Sequence, residues 1–81
     1  EEPDLISLFN WDEDMFLKKM EGSAIRRIGH TQWLRNISIA LGNAPYCEEI
    51  IIALNDKANS DSLLVQEHVS WALQQQLQKP S

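Results

Sequence analysis

His30-Thr31-Gln32-Trp33-Leu34-Arg35-Asn36-Ile37-Ser38-Ile39-Ala40-Leu41-Gly42 decides the fold. Within it Trp33, Leu34, Ile37, Ala40 and Leu41 recur at spacings of three and four, which sets them on one buried face of a helix. The spacing predicts a helix from about His30 to Gly42, closed by Gly42 or Asn43 in the left-handed conformation. Downstream, Pro45 fits the first turn of a further helix capped from Asn43 or Ala44, with Glu48 and Glu49 early in it. Its predicted stripe is Cys47, Ile50, Ile51, Leu54 and Ala58. Asn59-Ser60-Asp61 breaks the pattern, and Ser60, Asp61 or Ser62 caps a last helix with apolar positions Val65, Val69, Ala72, Leu73 and Leu77. Gln74 to Gln78 reads as a polar tail running to Pro80.

Upstream, Gly22 and Gly29 bracket Ser23 to Ile28, which reads as a helical turn or tight connector with its arginines outside. Before it, Trp11, Met15, Phe16 and Met20 mark a helix capped by Asn10 or Asp12. Asp12, Glu13 and Asp14 suit its first turn, and Lys18 and Lys19 its last. Pro3 and Asp4 open a short apolar turn of Leu5, Ile6, Leu8 and Phe9. Ile50-Ile51-Ile52 is strand-like in composition, but its flanks Glu48, Glu49, Ala53 and Leu54 fit helical spacing better. The fold class is therefore all-α, with about five helices. A shift of 32 residues lays Ile37-Ser38-Ile39-Ala40-Leu41 over Val69-Ser70-Trp71-Ala72-Leu73, with Ser, Ala and Leu matching. Such a period predicts a short right-handed helical solenoid of HEAT-like type. Residues 1–22 are then N-terminal capping helices, or the join to a preceding domain, and 23–81 the repeat region of one compact domain.

Eighty-one residues, 43% hydrophobic and 23% charged, describe one small globular domain rather than a disordered chain. No apolar run is long enough to cross a bilayer and no signal-peptide pattern opens the chain, so a cytoplasmic protein is expected. The single cysteine, Cys47, cannot form an internal disulfide or assemble a zinc or iron–sulfur site, each of which takes about four ligands. The chain opens on Glu1 without an initiator methionine, so a piece of a longer protein is expected.

Charge is unevenly spread. Residues 18–35 hold Lys18, Lys19, Arg26, Arg27 and Arg35 against Glu21 alone, a net +4 within a chain of −5, which leaves −9 elsewhere. A basic cluster in an acidic domain points to phosphates, and the plain alternative is a helical surface paired with Asp12, Glu13 and Asp14. Arginine suits phosphate because its planar fork matches two oxygens. Arg26, Arg27 and Arg35 are the leading candidates, with Lys18 and Lys19 at longer range and Ser23 as a neutral contact.

The run Glu21-Gly22-Ser23-Ala24-Ile25-Arg26-Arg27-Ile28-Gly29, then Trp33-Leu34-Arg35-Asn36 and Ala40-Leu41-Gly42-Asn43, resembles the C-terminal region of epoxyqueuosine reductase. Glu67-His68-Val69-Ser70-Trp71-Ala72-Leu73 is similar to the end of that family, and Trp11-Asp12 to the opening of the same region. The resemblance implies a HEAT-like domain that holds the anticodon stem-loop of a tRNA with a queuosine-type anticodon. The family's reaction converts epoxyqueuosine to queuosine with cobalamin and two iron–sulfur clusters. Those cofactors are implied for upstream catalytic domains, the chain's expected partners, and none for this piece, which alone is expected to have no redox activity. The sequence departs from the family at His30, often Tyr, at Gln32, commonly basic, and at Gln66, commonly Arg. His30 stays among the tRNA-binding candidates by its place beside Gly29.

Each candidate has a structural counterpart. Arg35, beside Trp33 and Leu34, is equally a half-buried partner of an acid. Trp33 and Trp71 are read as core anchors rather than base-stacking platforms, and Trp11 as a staple at a helix start. His30 and His68 lack a third ligand for a metal, and His68 with Glu67 lacks a nucleophile for a catalytic dyad. Cys47 is read as a small core residue. The rival function is a protein–protein adaptor or an inter-domain brace without RNA contact, since such folds serve many ligands.

Overall fold

The computed structural model describes residues 4–80, so the expected role of Pro3 lies outside the described residues. Five α-helices run in order: α1 Leu5–Phe9, α2 Glu13–Lys19, α3 Gly29–Asn43, α4 Glu48–Asp56 and α5 Leu63–Gln78. A 3-10 segment, Ala24–Ile28, joins α2 to α3, and no strand occurs among the described residues. Asp4 caps α1 by accepting the Ser7 N–H at 2.8 Å, and Asp12 caps α2 through the Met15 N–H at 2.8 Å. Asn10 instead ends α1. Ser62 caps α5 by accepting the Val65 N–H at 3.3 Å.

The core gathers Phe9 of α1, Leu34, Ile37 and Leu41 of α3, Ile50, Ala53 and Leu54 of α4, and Val65, Val69 and Ala72 of α5. A second, aromatic cluster ties α2 to α3. Trp11 and Trp33 stack with ring centroids 5.7 Å apart, Phe16 tilts against Trp33 at 5.3 Å, and the Trp33 indole N–H donates to the Leu8 carbonyl at 3.2 Å. Burial of an aromatic with its polar edge satisfied stabilises more than area alone would.

The principal contact is between α3 and α5. Arg35 meets His68 near the start of both helices, and the Leu41 carbonyl meets Gln76 near their ends, so the two run in the same sense. The intervening α4 carries the chain back. Close approach depends on Gly42: a Cβ there would stand 2.6 Å from Cζ3 of Trp71 and 3.0 Å from Cα of Ala72. This corrects the expected role of Gly42, which lies inside α3 and does not close it. The left-handed glycines are Gly22 (φ 82°) and Gly29 (φ 84°), which shape the connector.

Gln76 is the second correction. It is fully buried, not part of a polar tail. Its amide donates to the Leu41 carbonyl at 2.8 Å and the Ala44 carbonyl at 2.9 Å, and its oxygen accepts the Cys47 N–H at 3.0 Å. Lys79 reaches the same end of α3, donating to the Gly42 carbonyl at 2.7 Å and to that of Ala44. Carbonyls that any helix leaves unpaired at its C-terminus are thus satisfied by α5 and the residue after it. Held this way, Ala44 to Cys47 stays outside the helix, so α4 begins at Glu48 rather than at Pro45. Ala58 falls beyond α4 and is exposed, and Met15, Leu77 and Trp71 are exposed members of the expected stripes or their edges.

Candidate nucleic-acid interface

The connector is fixed before any side chain reaches outward. The Ser23 hydroxyl oxygen accepts the Ile25 N–H at 3.1 Å, and the Gly29 N–H bonds back to the Arg26 carbonyl. Arg26 then donates from Nε to the Leu17 carbonyl at 3.0 Å, which ties the segment to the last turn of α2. That bond uses one of five guanidinium donors and leaves both terminal nitrogens for another acceptor. Ser23, Arg26 and Arg27 line one open depression with Leu17, Gly22 and Ala24. Both arginines are exposed. Lys18 and Lys19 stand beside Leu17 in the last turn of α2, where the helix dipole also favours a cation.

Arg35 and His30 are placed elsewhere. Arg35 donates from Nε to Nε2 of His68 at 3.3 Å and from Nη1 to Oδ1 of Asn36 at 3.1 Å, so its partners are neutral side chains and not the expected acid. His68 donates from Nδ1 to the Leu64 carbonyl at 2.8 Å, the tautomer that leaves Nε2 free to accept from Arg35. His30 donates from Nε2 to the Trp11 carbonyl at 2.8 Å and tilts against Phe16, half-buried in the aromatic cluster. His30 and Thr31, next to Gly29, share a depression with Ser60 and Ser62, but its acids Asp56 and Asp61 outnumber Lys57. The connector Ala24–Ile28 holds two arginines and no acid.

Curated proteins resemble the chain over nearly all of it. The epoxyqueuosine reductase of Aliivibrio fischeri is 66% identical over 73 residues, which is 90% of this chain and 19% of that protein. Those of Salmonella typhimurium and Escherichia coli are 54% and 56% identical over 77 residues each, 95% of this chain and 20% of theirs. The chain matches the C-terminal region of the epoxyqueuosine reductases. It spans about a fifth of the length of these curated relatives. No family model and no solved structure matches it.

Within this epoxyqueuosine reductase region, the described residues do not fit a metal or cluster. No three of His, Cys, Asp and Glu gather among them. Cys47 is half-buried against the core, and both histidines are engaged with backbone carbonyls. No described helix is long and apolar enough to cross a membrane. The residues the sequence missed are Gln76 and Lys79, and Gln76 carried a signal: Val65, Val69, Ala72 and Gln76 continue one stripe at spacings of four, three and four.

Proposed function

We propose that this chain is the part of an epoxyqueuosine reductase that grips tRNA in the cytoplasm at the anticodon stem-loop. Arg26 and Arg27 take backbone phosphates, Lys18 and Lys19 add longer-range attraction, and the Ser23 hydroxyl offers a neutral contact. Arg35 stands apart as a second contact, and His30 acts through the packing that holds α2 and the connector against α3. The observation that carries the reading is Arg26: its Nε is spent on a backbone carbonyl, so the fork is oriented yet its charge is left for a ligand. Redox chemistry, cobalamin and the iron–sulfur clusters belong in this reading to the remaining four fifths of the relatives' length. The HEAT-like description is supported by the same-sense pairing of α3 and α5, the two helices that carry the sequence echo.

The test is a salt titration of RNA binding. Arg26→Ala combined with Arg27→Ala should weaken binding of an anticodon stem-loop and lower the log–log salt slope by about 1.4 to 1.8, as loss of two phosphate contacts requires. An unchanged slope would sink the proposal. The second reading, a brace between domains, is favoured by the exposure of Ile52, Leu63 and Leu77. It predicts that replacing those three with Ser changes association with the rest of the protein and leaves the salt slope alone.

A further inference from the structure

The groove between α3 and α5 has features that the connector does not explain. Ile39, Glu67, His68 and Trp71 line it. Trp71 is 37% exposed although its neighbour Ala72 is fully buried. One residue along a helix turns the side chain by about 100°, so Trp71 leaves the core stripe and comes to rest on the groove edge. Its seat is built by Gly42, because any side chain there would occupy the space of Cζ3. Arg35 borders the groove through His68, and it stands four residues before Ile39 and so on the same face of α3. Its guanidinium is fixed by His68 and Asn36, with His68 fixed in turn by the Leu64 carbonyl. The oriented fork, with donors to spare, is held by His68, and the accessible indole of Trp71 follows three residues later on the same helix.

We infer that this groove binds one unpaired nucleotide of RNA, the base stacking on Trp71 and its phosphate lying on Arg35, a site that rests on the RNA-binding reading, shares Arg35 with it and lies apart from the connector. Stacking on an exposed ring and pairing with a planar cation are the two contacts by which proteins hold single strands. Glu67 on the rim disfavours a phosphate-first approach, so the groove offers its ring to a base and refuses the dense backbone of a duplex.

The experiment compares a seven-nucleotide single strand with the same strand in a blunt duplex, titrated into the 81-residue chain at a series of salt concentrations. The Nε1–H resonance of Trp71 should shift with the single strand and stay put with the duplex. Trp71→Leu should weaken single-strand binding by about tenfold, with Trp71→Phe restoring most of it. The salt slope should be unchanged by Trp71→Leu and lowered by Arg35→Gln. If Trp71→Leu loses the fold, the resonance shift in the unaltered chain and the Phe variant still decide the matter. An unmoved indole resonance overturns the inference. So does an RNA affinity that survives Trp71→Leu while binding of a polypeptide is lost. The two readings separate cleanly: loss of binding in the Arg26 and Arg27 double variant, with none in Trp71→Leu, leaves the connector site standing and removes this one. The reverse pattern removes the connector site.

Discussion

A single amide, Gln76, closes the end of α3 from another helix. The Leu41 and Ala44 carbonyls and the Cys47 N–H all bond to it; the carbonyls keep a second donor, the Ala44 N–H and Lys79, and the Cys47 N–H is left without one if the side chain becomes apolar. Gln76→Leu keeps the volume and strands the Cys47 N–H, so a loss of about 1–3 kcal/mol is expected. A fall in the urea midpoint with an unchanged m-value would register it; a shift under about 0.5 kcal/mol would mean water takes over the amide's bonds. Gly42 acts by absence. Gly42→Ala should cost about 1–3 kcal/mol through overpacking against Trp71 and Ala72. Part of that cost should vanish when Trp71→Ala is added, since two of the three close contacts belong to the indole. Gly29→Ala meets open space, and its cost of roughly 1–2 kcal/mol comes instead from the positive φ, which no truncation elsewhere relieves.

The connector Ala24–Ile28 contributes no buried residue, so its stability is local. Ser23→Ala removes the cap on the Ile25 N–H and should cost about 1 kcal/mol within the segment. Amide exchange at Ile25 should then quicken about fivefold while the thermal midpoint of the whole chain stays in place. A midpoint that falls in step would show the segment to be part of the cooperative core. At this scale the sequence was a good guide to α3 and α5, because Leu34, Ile37 and Leu41, and Val65, Val69 and Ala72, are apolar at helical spacing and all buried. It was a poor guide where one residue type serves two physical ends. A glycine near a helix end reads as a terminator, yet Gly42 admits a neighbouring helix. A glutamine in a run of glutamines reads as solvated, yet Gln76 sits on the core stripe. The start of α4 was misplaced for the same reason, since Pro45 suits a helix start but Ala44 to Cys47 is held by Gln76, a partner some thirty residues away. Of the candidate site, Ser23, Arg26 and Arg27 were legible as neighbours because one short turn holds them. The separation of Arg35 from them was not, since it follows from pairing with His68 across two helices.

The whole molecule is a slab of 40 × 32 × 17 Å, little thicker than one helix and its side chains laid over another. Its accessible surface of 5456 Å² exceeds the roughly 5.0 × 10³ Å² expected for a compact chain of its mass, so a large share of its charge faces solvent. That charge is −9 outside residues 18–35 and +4 within them. Two of the cluster's arginines bond to neutral partners: Arg26 to the Leu17 carbonyl, and Arg35 to His68 and Asn36. Added salt therefore acts on two quantities with opposite signs. It screens repulsion among the surplus carboxylates, which favours the folded chain, and it weakens the attraction between the connector and a phosphate backbone. Between 50 and 200 mM salt the thermal midpoint should rise by a few degrees, while affinity for an RNA stem-loop falls by about tenfold or more, for as few as two phosphate contacts. The two curves are measured on one preparation. Were both to fall together, the basic residues would be stabilising the fold through local ion pairs, and the connector would be a solvated face with no phosphate to meet.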